Sequence, residues 1–270
     1  MRKRMTLLSL VAALVVIAAA PGATSAAETA KLHVTFDPNH LGKSTTVHFS
    51  IKLGATQGDV PSPVVNISIA LPAGMGLGTT DLGEETCSPH VLLEQGVQGC
   101  PTNSRMGLGR AVVGLPVGSE LVENEATITV FMAQPIHETT SMMFYAATDT
   151  PVVEEEIFMS QLLPTTGRFG ARLNTVLPII EPWPEAADTA LLRLDSTLGP
   201  SGLTYYTRVH GKRVGYRPKG MDVPERCPRG GFPFAATFTF KGGATLTTTT
   251  NVPCSQSGKH SRHHNPKGRT

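Results

Sequence analysis

The chain has 270 residues, of which 40% are apolar and only 16% are charged, and its formal net charge is +2. That composition supports a buried core and excludes a chain that is disordered throughout. Nucleic acid is excluded as a partner, because phosphate contacts need a concentrated basic face that this charge balance does not supply.

The N-terminal segment has the three-part organisation of an export signal. Residues 2–4 are basic, residues 6–20 are apolar, and residues 23–27 are small, as a signal peptidase requires. A retained membrane anchor is the alternative, but the apolar run is shorter than the roughly 20 residues that span a bilayer. We therefore expect residues 1–26 to be a signal peptide. The mature protein is then secreted, extracellular or associated with the cell wall, with no integral membrane segment after signal removal.

Period-two alternation of apolar and polar residues recurs along the rest of the chain. It is seen in residues 32–36, 47–53, 65–71 and 126–132, and further strand candidates are residues 141–148, 155–163, 168–180, 190–198 and 203–213. Together with 27 Gly and 21 Pro, they predict an all-β fold, an antiparallel β-sandwich with many short strands over residues 28–255. Turn-like residues offer a subdivision near residues 115–120, and one short helix is predicted within residues 86–96. Residues 256–270 are basic and lack apolar side chains, which predicts a disordered tail.

The four cysteines predict two disulfides, as is usual for an exported chain. Residues 234–251 have the pattern of a hairpin with a glycine-containing turn, and Cys227 and Cys254 flank it. We expect these two cysteines to pair with each other and Cys87 to pair with Cys100, although four cysteines allow three connectivities. A zinc site is the alternative, but the sequence has no cysteine–histidine spacing typical of zinc.

The sequence carries no recognisable catalytic constellation. It lacks the Gly-x-Ser-x-Gly motif of a nucleophile elbow, and its histidines do not have the spacing of a helical metal site. The densest acidic cluster is Glu154-Glu155-Glu156, but neighbouring strand residues point to opposite faces, so the three cannot converge. We interpret it as a solvated strand entry rather than as paired catalytic carboxylates. No catalytic residue, cofactor or metal is therefore predicted, and a site assembled from distant residues stays open.

Three aromatic residues are candidates for ligand binding. Carbohydrate-binding sandwiches stack exposed aromatic rings on sugar faces. Trp183 lies in a proline-rich loop, while Tyr205 and Tyr206 are adjacent, so that one of them faces outward. A cell-wall polymer or polysaccharide is the partner that such a platform predicts. The alternative is that Trp183 covers the core beneath its loop.

Two segments resemble elements of uncharacterised secreted, β-rich proteins of actinobacteria. Residues 227–234, followed by residues 252–254, match the C-terminal signature Cys-Pro-x-Gly-Gly-Phe-Pro-Phe … Val-Pro-Cys, and residues 100–107 are similar to a Cys-Pro-x-x-Ser-x-x-Gly element. The resemblance implies export, disulfides and β structure but brings no assigned activity. We expect a non-catalytic structural or binding role at the cell envelope or outside the cell. The alternative is a secreted carbohydrate-binding module or hydrolase whose site is built from dispersed residues.

Overall fold

The computed structural model describes residues 27–56, 60–77, 85–200, 203–217 and 220–255. The predicted signal peptide, residues 1–26, and the predicted basic tail, residues 256–270, lie outside the described residues. Within the described part the secondary structure is mostly antiparallel β, which confirms the predicted all-β class.

The strands are β1 (Glu28–Asp37), β2 (Ser44–Ala55), β3 (Val64–Pro72), β4 (Gly76–Leu77), β5 (Arg105–Val117), β6 (Glu120–Ile136), β7 (Thr139–Thr148), β8 (Glu154–Pro164), β9 (Phe169–Val176), β10 (Ala190–Leu198), β11 (Tyr205–Val209), β12 (Lys212–Tyr216), β13 (Met221–Asp222), β14 (Phe232–Phe240) and β15 (Thr245–Val252). Two short 3-10 turns lie at Gly96–Gln98 and Thr102–Ser104.

One short α-helix, α1 (Pro89–Gln95), interrupts the strands of the described chain. Ser88 caps its N-terminus, because the Ser88 hydroxyl accepts a hydrogen bond of 3.3 Å from the backbone N–H of Val91. The helix ends at Gly96, whose φ of 63° stops further helical turns. The short helix predicted within residues 86–96 is thus confirmed.

The described strands form one 13-stranded sheet and a separate two-stranded hairpin of β11 and β12. The order along the large sheet is β15-β14-β3-β9-β8-β7-β6-β5-β10-β2-β13-β4, with β1 paired to the other edge of β2. Every ladder between these strands is antiparallel, as expected when most connections are hairpins. The β14–β15 hairpin predicted from the sequence is confirmed, and Gly242 and Gly243 supply the positive φ of its turn.

The large sheet folds over on itself, so that β14 near one end packs against β1 and β2 near the other. Phe36 on β1 contacts Phe232 and Phe234 on β14, with ring centroids 5.6 and 5.8 Å apart. Phe49 on β2 meets Phe234 edge to face at 6.0 Å. These strands are not neighbours in the sheet, so the rings join two layers, as in a sandwich.

A close approach between β5 and β10 requires glycine on β5. A Cβ atom at Gly109 would collide with the backbone oxygen of Asp195, and one at Gly107 would collide with the backbone oxygen of Thr197. Only a residue without a side chain lets these strands approach so closely. The two glycines therefore permit the local close approach of β5 and β10, which are also paired in the sheet.

Both predicted disulfides are confirmed, and no free cysteine is present among the described residues. Cys87 and Cys100 have Cα atoms 5.3 Å apart, and Cys227 and Cys254 have Cα atoms 6.0 Å apart, both normal separations. The first bridge connects the two ends of the segment that contains α1. Both of its cysteines belong, with Leu92 of α1, to a second apolar cluster on the outer side of β6, β7 and β8. Disulfides persist in oxidising environments such as the outside of the cell.

The structure corrects two of the strand boundaries predicted from the sequence. Residues 203–213 were expected as one strand, but β11 and β12 form a hairpin there, because His210 and Gly211 adopt positive φ and turn the chain. Residues 168–180 were expected to be extended throughout, but β9 ends at Val176 and an irregular loop follows. The subdivision proposed near residues 115–120 coincides with the turn between β5 and β6, which are adjacent in the sheet.

Candidate functional site

An apolar cavity of about 130 Å³ lies against the inner face of the folded sheet. Its walls come from β2, β3, β5, β6, β7, β8, β9 and β10, together with parts of the segment 177–189, which we call the 177–189 loop. Pro178 in that loop lines the cavity and is also exposed, so the cavity reaches the surface at this end of the sheet. We call this end the mouth.

Small inner-face residues leave the space that the cavity occupies. Ala111 on β5 is paired with Ala126 on β6, and both line the cavity together with Ala146 on β7. Protein interiors are normally close-packed. The space above these short side chains must therefore be filled by side chains from other strands, or it stays open as a cavity. Leu194 lies in mid-strand on β10 yet is only partly buried, which shows that part of the inner face stays open.

Two glutamates at the mouth point into the apolar cavity. Glu154 and Glu156 are on β8 and line the cavity, while Glu155 between them is exposed on the opposite face. They are paired with Thr148 and Ala146 of β7, and neither takes part in an ion pair among the described residues. Burial raises the pKa of both carboxyls above their usual range, and the charge of Glu156 raises the pKa of Glu154 further.

Two buried hydroxyls also line the cavity without a partner. Thr189, just before β10, and Ser196, on β10, are 9% and 7% exposed, and neither hydroxyl has a hydrogen-bond partner among the described residues. Buried polar groups are almost always hydrogen-bonded, so each unpaired one calls for an explanation such as water or a ligand. The cavity is therefore apolar along most of its wall but holds a small number of unused polar groups, which is typical of ligand sites.

Two acidic segments lie beside the mouth: residues 149–153, which connect the cavity-lining residues Thr148 and Glu154, and the 177–189 loop. Residues 149–153 fold over the end of β7, where the carbonyl of Val152 accepts hydrogen bonds from Thr148 and from Asn124. The 177–189 loop closes with a bond of 2.9 Å from the Thr189 backbone N–H to the Ile180 carbonyl. Together the two segments carry four acidic residues, Asp149, Glu181, Glu185 and Asp188, and no basic residue.

A second, hydrophilic groove of about 620 Å³ lies on the outer face of β1, β2, β10 and β5. Its charged groups are already paired, because Arg193 donates to Asp195 at 2.5 Å and Arg110 donates to Glu125 at 3.0 Å. Burial acts to raise the pKa of Asp195, but hydrogen bonds from Ser50 and Arg193 outweigh it and lower that pKa. The charged groups of the groove are thus paired with each other, and Ser196, whose hydroxyl has no partner among the described residues, lines both the groove and the cavity.

The three aromatic residues predicted from the sequence lie outside both sites. Tyr205 is fully buried and its hydroxyl donates to the carbonyl of Arg105, and burial raises its pKa. Tyr206 is half exposed, with the Arg213 guanidinium carbon 3.8 Å from its ring centroid. Trp183 is 41% exposed on the 177–189 loop, the same loop that lines the cavity mouth.

No family model, curated protein sequence or solved structure matches this chain. The part of the chain that the structure describes contains no helix long and apolar enough to cross a membrane. Within the same residues, no group of three or more histidine, cysteine, aspartate or glutamate side chains is placed to hold a metal ion. The function of the chain is therefore inferred from the geometry of the cavity.

The sequence pattern predicts which glutamates share a face of β8, but not that this face is enclosed. Alternation correctly separates Glu155 from its two neighbours, and Glu154 and Glu156 do share one face. We interpreted that segment as a solvated strand entry, whereas the two carboxyls are partly buried against apolar side chains. Which face of β8 turns inward depends on how the whole sheet folds over, and local sequence does not show that.

We expect Glu156→Gln to change how stability depends on pH. The folded-state pKa of Glu156 lies above the unfolded value of 4.5, so the folded state holds this proton more tightly than the unfolded state does. The contribution of this protonated carboxyl to the free energy of unfolding is fully present below pH 4.5 and is lost as pH rises through the folded-state pKa. The melting temperature of the wild type should therefore fall relative to that of Glu156→Gln between pH 4.5 and 7, measured by circular dichroism. Glu155→Gln on the outer face is the control, and an identical profile for all three proteins would contradict the burial of Glu156.

Proposed function

We propose that this chain is an exported, non-catalytic binding protein that holds an apolar or amphipathic small molecule in the cavity of its folded sheet. The observation that carries the proposal is the apolar cavity whose wall holds two carboxyls without an ion pair, Glu154 and Glu156, and two hydroxyls without a hydrogen bond, Thr189 and Ser196, as far as the described residues show. Sites for small molecules are concave, largely apolar and provided with a few polar groups that orient the ligand. The cavity meets each of these conditions.

In such a site the affinity comes from removing the apolar surface of the ligand from water. Each Å² of apolar surface removed from water contributes about 25 cal/mol, so a hydrocarbon chain in the cavity gains several kcal/mol before the cost of association is subtracted. A comparable engineered cavity of about 150 Å³ lined by apolar side chains stays dry and binds benzene. This cavity is of similar volume, and its opening at Pro178 gives a longer ligand room to extend outward.

Two features support a location outside the cytosol. The N-terminal residues have the organisation of an export signal, and both disulfides favour an oxidising compartment. We propose that the mature protein acts in the extracellular space or at the cell envelope. Apolar molecules need a carrier in that aqueous environment, which fits a binding role.

Carbohydrate binding is the second candidate function. The hydrophilic groove on β1, β2, β10 and β5 supports it, because its hydroxyl, imidazole and charged groups suit a polar ligand such as a cell-wall polysaccharide. Trp183 and Tyr206 are exposed but do not line this groove, so a sugar stacked on either ring would bind at a separate place. A glycan array probed with the mature protein separates this candidate from the first.

Blocking the cavity tests the proposed function. Ala146→Phe places a phenyl ring on the cavity wall, and we expect it to weaken binding of the neutral fluorescent probe N-phenyl-1-naphthylamine by about 100-fold, roughly 2.7 kcal/mol. Thr127→Phe is the matched control, because Thr127 is exposed on the outer face of the neighbouring strand β6. Binding is measured by probe fluorescence, after circular dichroism shows that both variants are folded. Equal binding by wild type and Ala146→Phe, or an equal loss in Thr127→Phe, would overturn the proposal.

A further inference from the structure

We propose that the ligand of the cavity is a cationic amphiphile, whose ammonium group lies between Glu154 and Glu156 while its hydrocarbon chain lies along the apolar wall. This inference rests on the proposed binding function and adds the chemical class of the ligand. The ligand is thus positively charged. Long-chain carboxylates and uncharged lipids are the alternative ligands, and the experiment below distinguishes them from a cationic amphiphile.

The two carboxylates have no counterion within the described part of the chain. Glu154 and Glu156 share the inner face of β8, and no ion pair of the described residues includes either of them. A carboxylate that loses water without gaining a partner is destabilised in its charged form, as the raised pKa of each shows. A cation bound between them would restore the lost stabilisation, and the low-dielectric wall would strengthen the attraction.

The unpaired hydroxyls are a second, independent sign of an occupant. Ser196 and Thr189 are more than nine-tenths buried, line the cavity and have no hydrogen-bond partner in the described chain. Ser196 lies on the same row across the sheet as Glu156, through Gly109, Ile128 and Ala146 of the intervening strands. Polar groups are therefore present on both sides of the apolar wall, where a ligand that carries polar atoms can use them.

The aromatic rings beside the carboxylates also suit an ammonium group. Phe158 follows Glu156 on the same face of β8 and is paired with Phe144 of β7, and both rings line the cavity. A cation over the face of an aromatic ring gains roughly 0.5 to 2 kcal/mol, most where water is excluded. Carboxylates next to aromatic rings thus form a setting that favours alkylated ammonium groups over simple metal ions.

The charge of the mouth favours a cation and disfavours an anion. Residues 149–153 and the 177–189 loop carry Asp149, Glu181, Glu185 and Asp188 without any basic residue, and among the ion pairs of the described residues only Asp188 takes part, with Lys241. Clefts lined by one sign of charge attract ligands of the opposite sign and repel those of the same sign. A long-chain carboxylate would approach this mouth against the field of the loops and of Glu154 and Glu156.

Three probes with the same hydrocarbon chain test the inference: dodecyltrimethylammonium, dodecanol and dodecanoate. The two ionic probes are titrated below their micelle concentrations and the alcohol below its solubility limit, each into the mature protein, and binding is followed by isothermal calorimetry and by the fluorescence of Trp183, the single tryptophan of the chain. We expect the ammonium probe to bind at least about tenfold more tightly than the alcohol, and the carboxylate to bind most weakly. The double variant Glu154→Gln/Glu156→Gln should reduce the difference between the ammonium probe and the alcohol to within about threefold, with dodecanol binding unchanged.

Glu155→Gln is the matched control, because it removes one negative charge from the outer face of the same strand. It should leave the preference for the ammonium probe intact. If the alcohol or the carboxylate binds as tightly as the ammonium probe, or if Glu155→Gln reduces the preference as much as the double variant does, the cationic headgroup is ruled out while the cavity function stands. If none of the three probes binds, the proposed function itself fails.

Discussion

Phe234→Ala is expected to lower the free energy of unfolding by about 3 to 5 kcal/mol, the range for truncating a fully buried aromatic residue. Phe234 on β14 is fully buried and contacts Phe36 of β1 and Phe49 of β2, so it joins the two layers of the folded sheet. Removing the ring leaves a void between elements that backbone hydrogen bonds do not connect. The loss should appear as a lower urea midpoint with an unchanged m-value.

Phe158→Ala provides the comparison within the same protein. Phe158 also lies on the inner face, but it borders the cavity and is only partly buried, so its ring has fewer packed neighbours to lose. We expect a cost of less than about 2 kcal/mol for this variant. If the two substitutions lower the free energy of unfolding equally, the open space described beside Phe158 would be contradicted. If Phe234→Ala lowers it by less than about 1.5 kcal/mol, the packing of Phe234 between two layers would be contradicted.

The fold class followed from local sequence because strand alternation is a local property. In β14 the residues Phe232, Phe234 and Phe238 are buried, while their neighbours are only partly buried. The turn glycines at 242 and 243 and the flanking cysteines then identified one hairpin and its disulfide. Each of these signals needs only residues that are close in sequence or pair directly.

The cavity could not be predicted in the same way. Ala111, Ala126 and Ala146 are ordinary strand residues in the sequence, and only the registers of β5, β6 and β7 bring them to one region of the inner face. The inward face of Glu154 and Glu156 is likewise decided by the curvature of the whole sheet. Local patterning gives the two faces of a strand, but it does not state which face becomes enclosed.

The aromatic residues chosen from the sequence illustrate a related limit. Adjacency correctly implied that one of Tyr205 and Tyr206 faces outward, and Tyr206 does, with Arg213 over its ring. The burial of Tyr205 depends on contacts with distant residues, because its hydroxyl bonds to the Arg105 carbonyl 100 residues away. Exposure alone therefore leaves Trp183 and Tyr206 as candidates for the carbohydrate-binding alternative.

Replacing both Cys227 and Cys254 with serine is expected to lower the free energy of unfolding by about 3.6 kcal/mol in the chain-entropy account, because the bridge closes a loop of 27 residues. The bridge holds the outer ends of β14 and β15, and the Pro253 carbonyl beside it accepts a hydrogen bond of 2.8 Å from Asn39. On its other side β15 contacts β1, yet no ladder of backbone hydrogen bonds joins these two fully described strands. The disulfide therefore stabilises the contact between the two ends of the sheet. Without it, β15 should be the first strand to separate from the fold.

Hydrogen–deuterium exchange gives the sharpest measurement of that effect, since opening of β15 exposes its amides before the sheet unfolds globally. Cys87→Ser/Cys100→Ser is the matched control: its shorter loop predicts a loss of about 3 kcal/mol, with faster exchange around α1 and unchanged exchange in β15. Faster exchange in β15 in both double variants would mean that the disulfides act on the fold as a whole. Unchanged exchange in the Cys227→Ser/Cys254→Ser variant would mean that packing of Phe232 and Phe234 alone holds the sheet ends together, and the role assigned to the bridge would be wrong.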